Sequence, residues 1–139
     1  MNIFYVEDIE GDVVAFRKKM NGMSVVIIDK PFNEGELYFK EYRKSENGLK
    51  IDIILLDMIN KDPEATVFGI QVLDAIRGNS SLDGVPVCLF SNQIIDRRDF
   101  SVGAPKVKMS GDNYLTFKGF DGGELIYVFQ AIVAGRVPK

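Results

Sequence analysis

The sequence predicts a single α/β domain, residues 1–139, built on a parallel sheet with helices on both faces. Its apolar runs are short and continuous rather than alternating, which is typical of strands that are covered on both faces. Segments with helical spacing lie between these runs, so strands and helices alternate along the chain. The length of 139 residues agrees with one domain, since domains contain about 150 residues.

The strands are predicted by five runs rich in aliphatic and aromatic residues. They are the runs 3–6, 24–28, 51–56, 85–90 and 114–117. After the second run, Asp29, Lys30 and Pro31 predict a turn.

The helices are predicted by apolar residues that recur at intervals of three and four. They cover 13–20, 34–44, 70–76 and 125–132. Asp121 is the expected N-cap of the last helix, with Glu124 as its capping-box partner. The stretch 92–113 has a poor helical pattern and carries glycines and a proline. The fourth helix, between the last two strands, is therefore expected to be short or irregular.

Composition excludes several classes of function. The chain has 46% hydrophobic and 27% charged residues and a net charge of -3, which argues against nucleic-acid and anionic-membrane binding. No apolar run approaches the roughly 20 residues that span a bilayer, and the amino terminus lacks the features of a signal peptide. Without histidine, imidazole chemistry is excluded. The single cysteine, Cys88, lies in an apolar run and is expected to be a buried thiol in a reducing cytoplasm.

Polar residues that are not predicted to form a turn follow four of the five predicted strands. Glu7 and Asp8 follow the first strand, Asp57 the third, Ser91 the fourth and Lys118 the fifth. In open parallel sheets, sites form beyond the carboxyl ends of the strands. We therefore expect these side chains to gather at one edge of the sheet.

Such a cluster has a specific chemistry. Carboxylates packed together repel, and a cation relieves the repulsion; Mg²⁺ suits an all-oxygen site. Asp57 could then act as a carboxylate nucleophile and form an aspartyl-phosphate. Lys118 would contribute a positive charge to a phosphate oxygen, and the Ser91 hydroxyl a hydrogen bond. Each residue alone is more typical of a turn, a cap or a solvated charge, and only the combination favours a site.

The motifs resemble those of a receiver domain of two-component response regulators, over residues 3–133. The resemblance lies in Val6-Glu7-Asp8, Ile54-Leu55-Leu56-Asp57-Met58, Val67-Phe68-Gly69-Ile70-Gln71-Val72-Leu73, Val85-Pro86-Val87 leading to Ser91-Asn92, and Tyr114-Leu115-Thr116-Phe117-Lys118-Gly119-Phe120. It implies a flavodoxin-like, five-stranded parallel sheet in the order 2-1-3-4-5. It also implies that Asp57 is the phosphoacceptor, Ser91 the switch hydroxyl and Lys118 the phosphate-binding lysine. The Mg²⁺ ligands that it implies are Glu7, Asp8, Asp57 and the backbone carbonyl of Ile59.

The sequence departs from the family pattern in several places. Glu7 stands where aspartate is more usual, and Gly119 stands where the family has a proline. Asn92 replaces a small residue, and the loop 60–66 is longer than usual. Tyr114, the possible switch aromatic, lies four residues before Lys118 instead of three. Either a β-bulge realigns it, or the switch lacks its aromatic. A register set by Tyr114 would put Phe117 at the lysine position, and Lys118 is favoured.

The resemblance implies a phosphoacceptor domain, not an enzyme. A histidine kinase or phosphotransfer protein would phosphorylate Asp57, and a downstream protein target would recognise the changed surface. The chain ends soon after its last helix, so the output is expected to be a protein contact of the domain itself, unless the chain is a fragment of a larger protein. The main alternative is a receiver-like interaction module that works without phosphorylation. A small Mg²⁺-dependent phosphohydrolase is less favoured, because Ile59 stands where such enzymes carry a second acid.

Overall fold

The computed structural model describes residues 1–43, 50–57, 71–91 and 113–135. The strands are β1 (Asn2–Val6), β2 (Val26–Lys30), β3 (Ile53–Asp57), β4 (Val87–Ser91) and β5 (Asn113–Phe117). The helices are α1 (Glu10–Lys19), α2 (Phe32–Glu41), α3 (71–77 within the described residues) and α4 (Gly122–Val133), with a 3₁₀ turn at Ser80–Leu82. None of the described helices combines the length and the apolar character that crossing a membrane requires.

The strands form one parallel sheet in the order β2-β1-β3-β4-β5. The α/β class and the parallel sheet predicted from the sequence are confirmed. The short or irregular helix that the sequence predicts between β4 and β5 falls within 92–112, outside the described residues.

Helices cover both faces of the sheet, and each face has its own apolar cluster. Phe4 and Ile54 point to the face that also buries residues of α2 and α3. Their chain neighbours Tyr5 and Leu55 point to the other face, where α1 and α4 pack. Successive side chains of a strand alternate between faces, and all five residues of β3 are buried. This explains why residues 53–56, which precede Asp57 in β3, form a continuous apolar run in the sequence.

The second strand and the second helix differ from their predicted bounds. Asp29 and Lys30 belong to β2 rather than to a turn, because they pair in register with the end of β1 and the Lys30 carbonyl accepts a hydrogen bond from the Glu7 backbone N–H at 3.0 Å. Helix α2 begins directly after Pro31 and ends at Glu41. Proline fixes a backbone angle that is compatible with a helix start, and the extended backbone of Tyr42 (ψ 130°) ends the helix before its predicted limit at 44.

Helix α4 begins as the sequence predicts. The Asp121 carboxylate accepts a hydrogen bond of 2.8 Å from the Glu124 backbone N–H, which satisfies one of the free donors of the first turn. The predicted burial of Cys88 is also confirmed, and this burial raises the pKa of its thiol to about 12.

Candidate functional site at the carboxyl edge of the sheet

The strand register brings the predicted site positions to one edge of the sheet. Asp57, the last residue of β3, is paired with Phe90 of β4, and Ser91 is paired with Phe117 at the end of β5. Glu7 directly follows β1, and Lys118 directly follows β5. Parallel strands end on the same side, so these positions converge although they are far apart in the sequence.

Three of the predicted side chains meet in a buried cluster. Glu7, Asp57 and Lys118 are 3%, 5% and 7% exposed. The Lys118 Nζ lies 2.9 Å from Glu7 Oε2 and 3.4 Å from Asp57 Oδ1. It also lies 5.8 Å from the centre of the Phe90 ring, within the range of a cation–π contact. The single ammonium therefore offsets part of the charge of two buried carboxylates.

The protonation of this cluster follows from burial and charge. Burial, and next the hydrogen bond with Asp57, raise the pKa of Glu7 to about 7, although the charge of Lys118 acts to lower it. Burial also lowers the pKa of Lys118, but the charges of Asp57 and Glu7 outweigh this and the net shift is upward. The lysine therefore stays charged at neutral pH, and Glu7 retains its proton to a higher pH than an isolated glutamate does.

Two contributors to the cluster were not predicted from the sequence. Asp12, in the first turn of α1, places its Oδ2 at 3.3 Å from the Lys118 Nζ. The Tyr5 hydroxyl donates a hydrogen bond of 3.3 Å to Glu7 Oε2. The spacing of Asp12, one helical turn after Asp8, is a signal that could have found it, because α1 starts next to the edge where the site lies. Tyr5 has no comparable signal, since its position in a strand is that of a core residue.

Asp8 is exposed, and its carboxylate contacts the start of α2. Its Oδ1 accepts a hydrogen bond of 2.7 Å from the Phe32 backbone N–H, at the start of α2. Pro31, the N-cap position of α2, supplies no side-chain cap, and Asp8 provides one from β1's end instead. A carboxylate at this point also interacts favourably with the helix dipole.

Of the remaining predicted site residues, Ser91 and Tyr114 lie in the described part of the chain and Ile59 does not. Ser91 lies at the end of β4 as expected, and the description there is limited to its backbone. Ile59 lies outside the described residues. Strand β5 pairs with β4 without a bulge, so no bulge realigns Tyr114, which packs against the apolar cluster beneath α1 and α4.

Solved structures similar to this chain are receiver domains. One is the receiver domain of a sensor histidine kinase from Pseudomonas aeruginosa, crystallised with a magnesium ion in its active-site cleft. It has a TM-score of 0.66 and 16% identity, with 96% of this chain and 97% of that chain covered. Another is the chemotaxis protein CheY4 of Vibrio cholerae, with a TM-score of 0.64, 12% identity and coverage of 94% and 97%.

A third is the N-terminal domain of a response regulator/sensory box/GGDEF protein from Carboxydothermus hydrogenoformans, with a TM-score of 0.59, 18% identity and coverage of 96% and 94%. This chain has the receiver fold. No protein-family model and no curated protein match the sequence. The resemblance inferred from the motifs is thus confirmed at the level of the fold.

The described carboxylates have the donor atoms that Mg²⁺ prefers, but they are not arranged as a complete metal site. Oxygen donors are what Mg²⁺ prefers, and Glu7 and Asp57 supply them side by side. Within the four described stretches, however, no group of three acidic or cysteine side chains is close enough together to hold a metal ion, and Asp8 Oδ1 is bonded to α2. Lys118 provides the compensating positive charge in this arrangement.

Proposed function

We propose that this chain is a phosphoacceptor receiver domain of two-component signal transduction, in which Asp57 is phosphorylated. The donor would be a phosphohistidine of a histidine kinase or of a phosphotransfer protein. The histidine N–P bond breaks as a bond forms between an Asp57 carboxylate oxygen and phosphorus, so one phosphoryl group moves without turnover of a substrate. The domain is thus a phosphoacceptor and not an enzyme.

The observation that carries the proposal is the contact of Lys118 with Asp57 at the end of β3, in a sheet of receiver topology. A lysine ammonium 3.4 Å from the acceptor carboxylate is within reach of an oxygen of a phosphoryl group attached there. Phosphoryl transfer depends chiefly on positioning and on charge neutralisation, and both are supplied by groups fixed at strand ends.

The other groups support this role. Glu7 and Asp57, with the second oxygen of Asp8, would hold Mg²⁺, which would neutralise charge on the acids and on the incoming phosphoryl group. Lys118 would exchange part of its bonding from Glu7 and Asp12 to the phosphoryl oxygens. Tyr5 would keep Glu7 oriented through its hydroxyl. Ser91, at the end of β4, would be the switch hydroxyl, and the changed surface would be recognised by a downstream protein in the cytoplasm.

The test uses the full chain with Mg²⁺ and acetyl phosphate, a small acyl phosphate donor. Intact mass spectrometry is expected to show one phosphoryl adduct on the wild type and none on Asp57→Asn. Asp52→Asn is a matched control, since Asp52 lies just before β3 and bonds the Asn2 backbone N–H rather than the site. Absence of an adduct on the wild type with acetyl phosphate and with a phosphorylated histidine kinase would refute the proposal.

A receiver-like interaction module that does not depend on phosphorylation is the second candidate. The observation that favours it is that Lys118 is already held by three carboxylates while Asp8 serves as a cap of α2. In that case Lys118 offsets part of the carboxylate charge without Mg²⁺ or a phosphoryl group, and the cluster stabilises the fold. The same mass measurement separates the two functions.

A further inference from the structure

The main chain that carries Lys118 is held from α1. Lys19, the last residue of α1, directs its ammonium to the segment after β5. Its Nζ donates hydrogen bonds to the Lys118 carbonyl and, at 3.1 Å, to the Phe120 carbonyl. These two carbonyls lie on either side of Gly119, so one side chain fixes the backbone across that glycine.

Gly119 makes such a restraint necessary. Glycine has the greatest backbone freedom of all residues, and here it directly follows the lysine that contacts Asp57. Gly119 is also exposed, so core packing does not fix it. Without another restraint, the backbone of Lys118 would be free to move on its carboxyl-terminal side.

A second contact holds Lys19 itself in place. A Cβ added to Gly122, the first residue of α4, would lie 2.2 Å from the Lys19 carbonyl oxygen. The end of α1 and the start of α4 therefore approach as closely as only glycine allows. The Asp121 carboxylate caps α4, so the segment 118–122 is held by α1 in its first half and by α4 in its second.

The geometry points to Lys19 as the positioning residue of the phosphorylation site, which sets the place of the Lys118 ammonium by bonding the carbonyls on both sides of Gly119. The effect on phosphoryl transfer rests on the proposed function; the effect on Lys118 does not. Displacement of a catalytic group by about 1 Å can reduce a rate by about 100-fold. Because Lys118 keeps its contacts with Glu7 and Asp12, we expect a loss of about tenfold or more in Lys19→Ala.

The experiment compares Lys19→Ala and Lys19→Arg with Lys18→Ala. Lys18 is a matched control, since it has the same charge, is the neighbouring residue of α1 and is exposed. Arginine offers several donors for two carbonyl oxygens. It has room, because a cavity of about 70 Å³ adjoins Lys19 and Lys118.

Two measurements are made on each folded variant, well below its unfolding temperature. The first is the ¹H–¹⁵N signal of the Lys118 side-chain ammonium, identified by its loss in Lys118→Met. The second is the rate of adduct formation with acetyl phosphate and Mg²⁺. In Lys19→Ala the signal is expected to move or to disappear and the rate to fall, whereas Lys18→Ala matches the wild type and Lys19→Arg recovers both.

An unchanged Lys118 signal in Lys19→Ala would overturn the inference, and so would a changed signal with a wild-type rate. A loss of rate that Lys19→Arg does not restore would also contradict it, since the carbonyl bonds are then not the cause. If the wild type forms no adduct, the proposed function fails. The positioning of Lys118 by Lys19 is then decided by the ammonium signal alone.

Discussion

Replacing Lys118 by methionine removes the positive charge from the buried cluster and leaves a side chain of similar length. The ammonium lies 2.9 Å from Glu7 and 3.4 Å from Asp57, and both carboxylates are almost fully buried. Removing one partner of a buried ion pair costs about 3–5 kcal/mol, because an uncompensated charge remains. We therefore expect Lys118→Met to lower the free energy of unfolding by about 3 kcal/mol or more at pH 8, measured by urea denaturation.

The magnitude depends on pH in a defined direction. At pH 5 the proton on Glu7 removes one of the two uncompensated charges, so the loss in Lys118→Met is expected to be smaller than at pH 8. For the same reason, adding Glu7→Gln to Lys118→Met is expected to restore part of the stability at pH 8.

The matched control is the exposed ion pair of α2. The Lys40 Nζ lies 2.8 Å from Glu36 Oε1, with the Lys40 side chain 59% exposed. Such pairs contribute only about 0.2–1 kcal/mol, so Lys40→Met is expected to have a small effect at both pH values. A loss in Lys118→Met no larger than in Lys40→Met would refute the account of a buried cluster in which Lys118 offsets carboxylate charge.

Three further substitutions test other parts of the structure, each by denaturant or thermal unfolding. The pKa of Glu7 is raised to about 7 in the folded protein, so its contribution to stability is complete below its ordinary pKa of 4.5 and is lost as the pH rises through about 7. Without divalent cations, Glu7→Gln should remove this pH dependence of stability. Parallel pH profiles of the variant and the wild type would contradict the prediction. Gly122→Ala should destabilise the protein by about 1–3 kcal/mol, because the added Cβ would meet the Lys19 carbonyl. The control Gly123→Ala, whose Cβ meets only an ordinary contact of 3.4 Å, should be neutral or stabilising. Equal effects of the two substitutions on stability would argue against the close approach of α1 and α4. Asn79→Ala should lower the free energy of unfolding by about 1–3 kcal/mol, since this buried side chain donates hydrogen bonds to two carbonyls at the end of α2 and accepts one from a backbone N–H of the 3₁₀ turn. A change within measurement error would show that these hydrogen bonds make no net contribution to stability.

The strands were predictable because burial on both faces leaves a direct mark in the sequence. Residues 53–56 of β3 are apolar without interruption, and all five residues of the strand are buried. The second strand was placed two residues early, because Asp29 and Lys30 look like turn residues. They extend an edge strand whose side chains are only partly buried, and there polarity does not mark the end of a strand.

The site was predictable as far as it depends on strand ends. Glu7, Asp57 and Lys118 meet because parallel strands end on one side, which the chain order alone implies. Asp12 and Lys19 could not be found in this way, since their roles depend on where α1 packs against the segment after β5. The turning of Asp8 towards α2 depends likewise on a tertiary contact with a backbone N–H.

The central claim is that Asp57 accepts a phosphoryl group, and the most direct measurement locates the modified residue. After incubation with acetyl phosphate and Mg²⁺, an acyl phosphate can be reduced with borohydride, which converts a phosphorylated aspartate to homoserine, and the digest can be sequenced by mass spectrometry. The account predicts homoserine at position 57 and at no other acidic residue. Homoserine at Asp8 or Asp12 instead, 5-hydroxynorvaline (the product of reducing a glutamyl phosphate) at Glu7, or no reduced residue at all would contradict it.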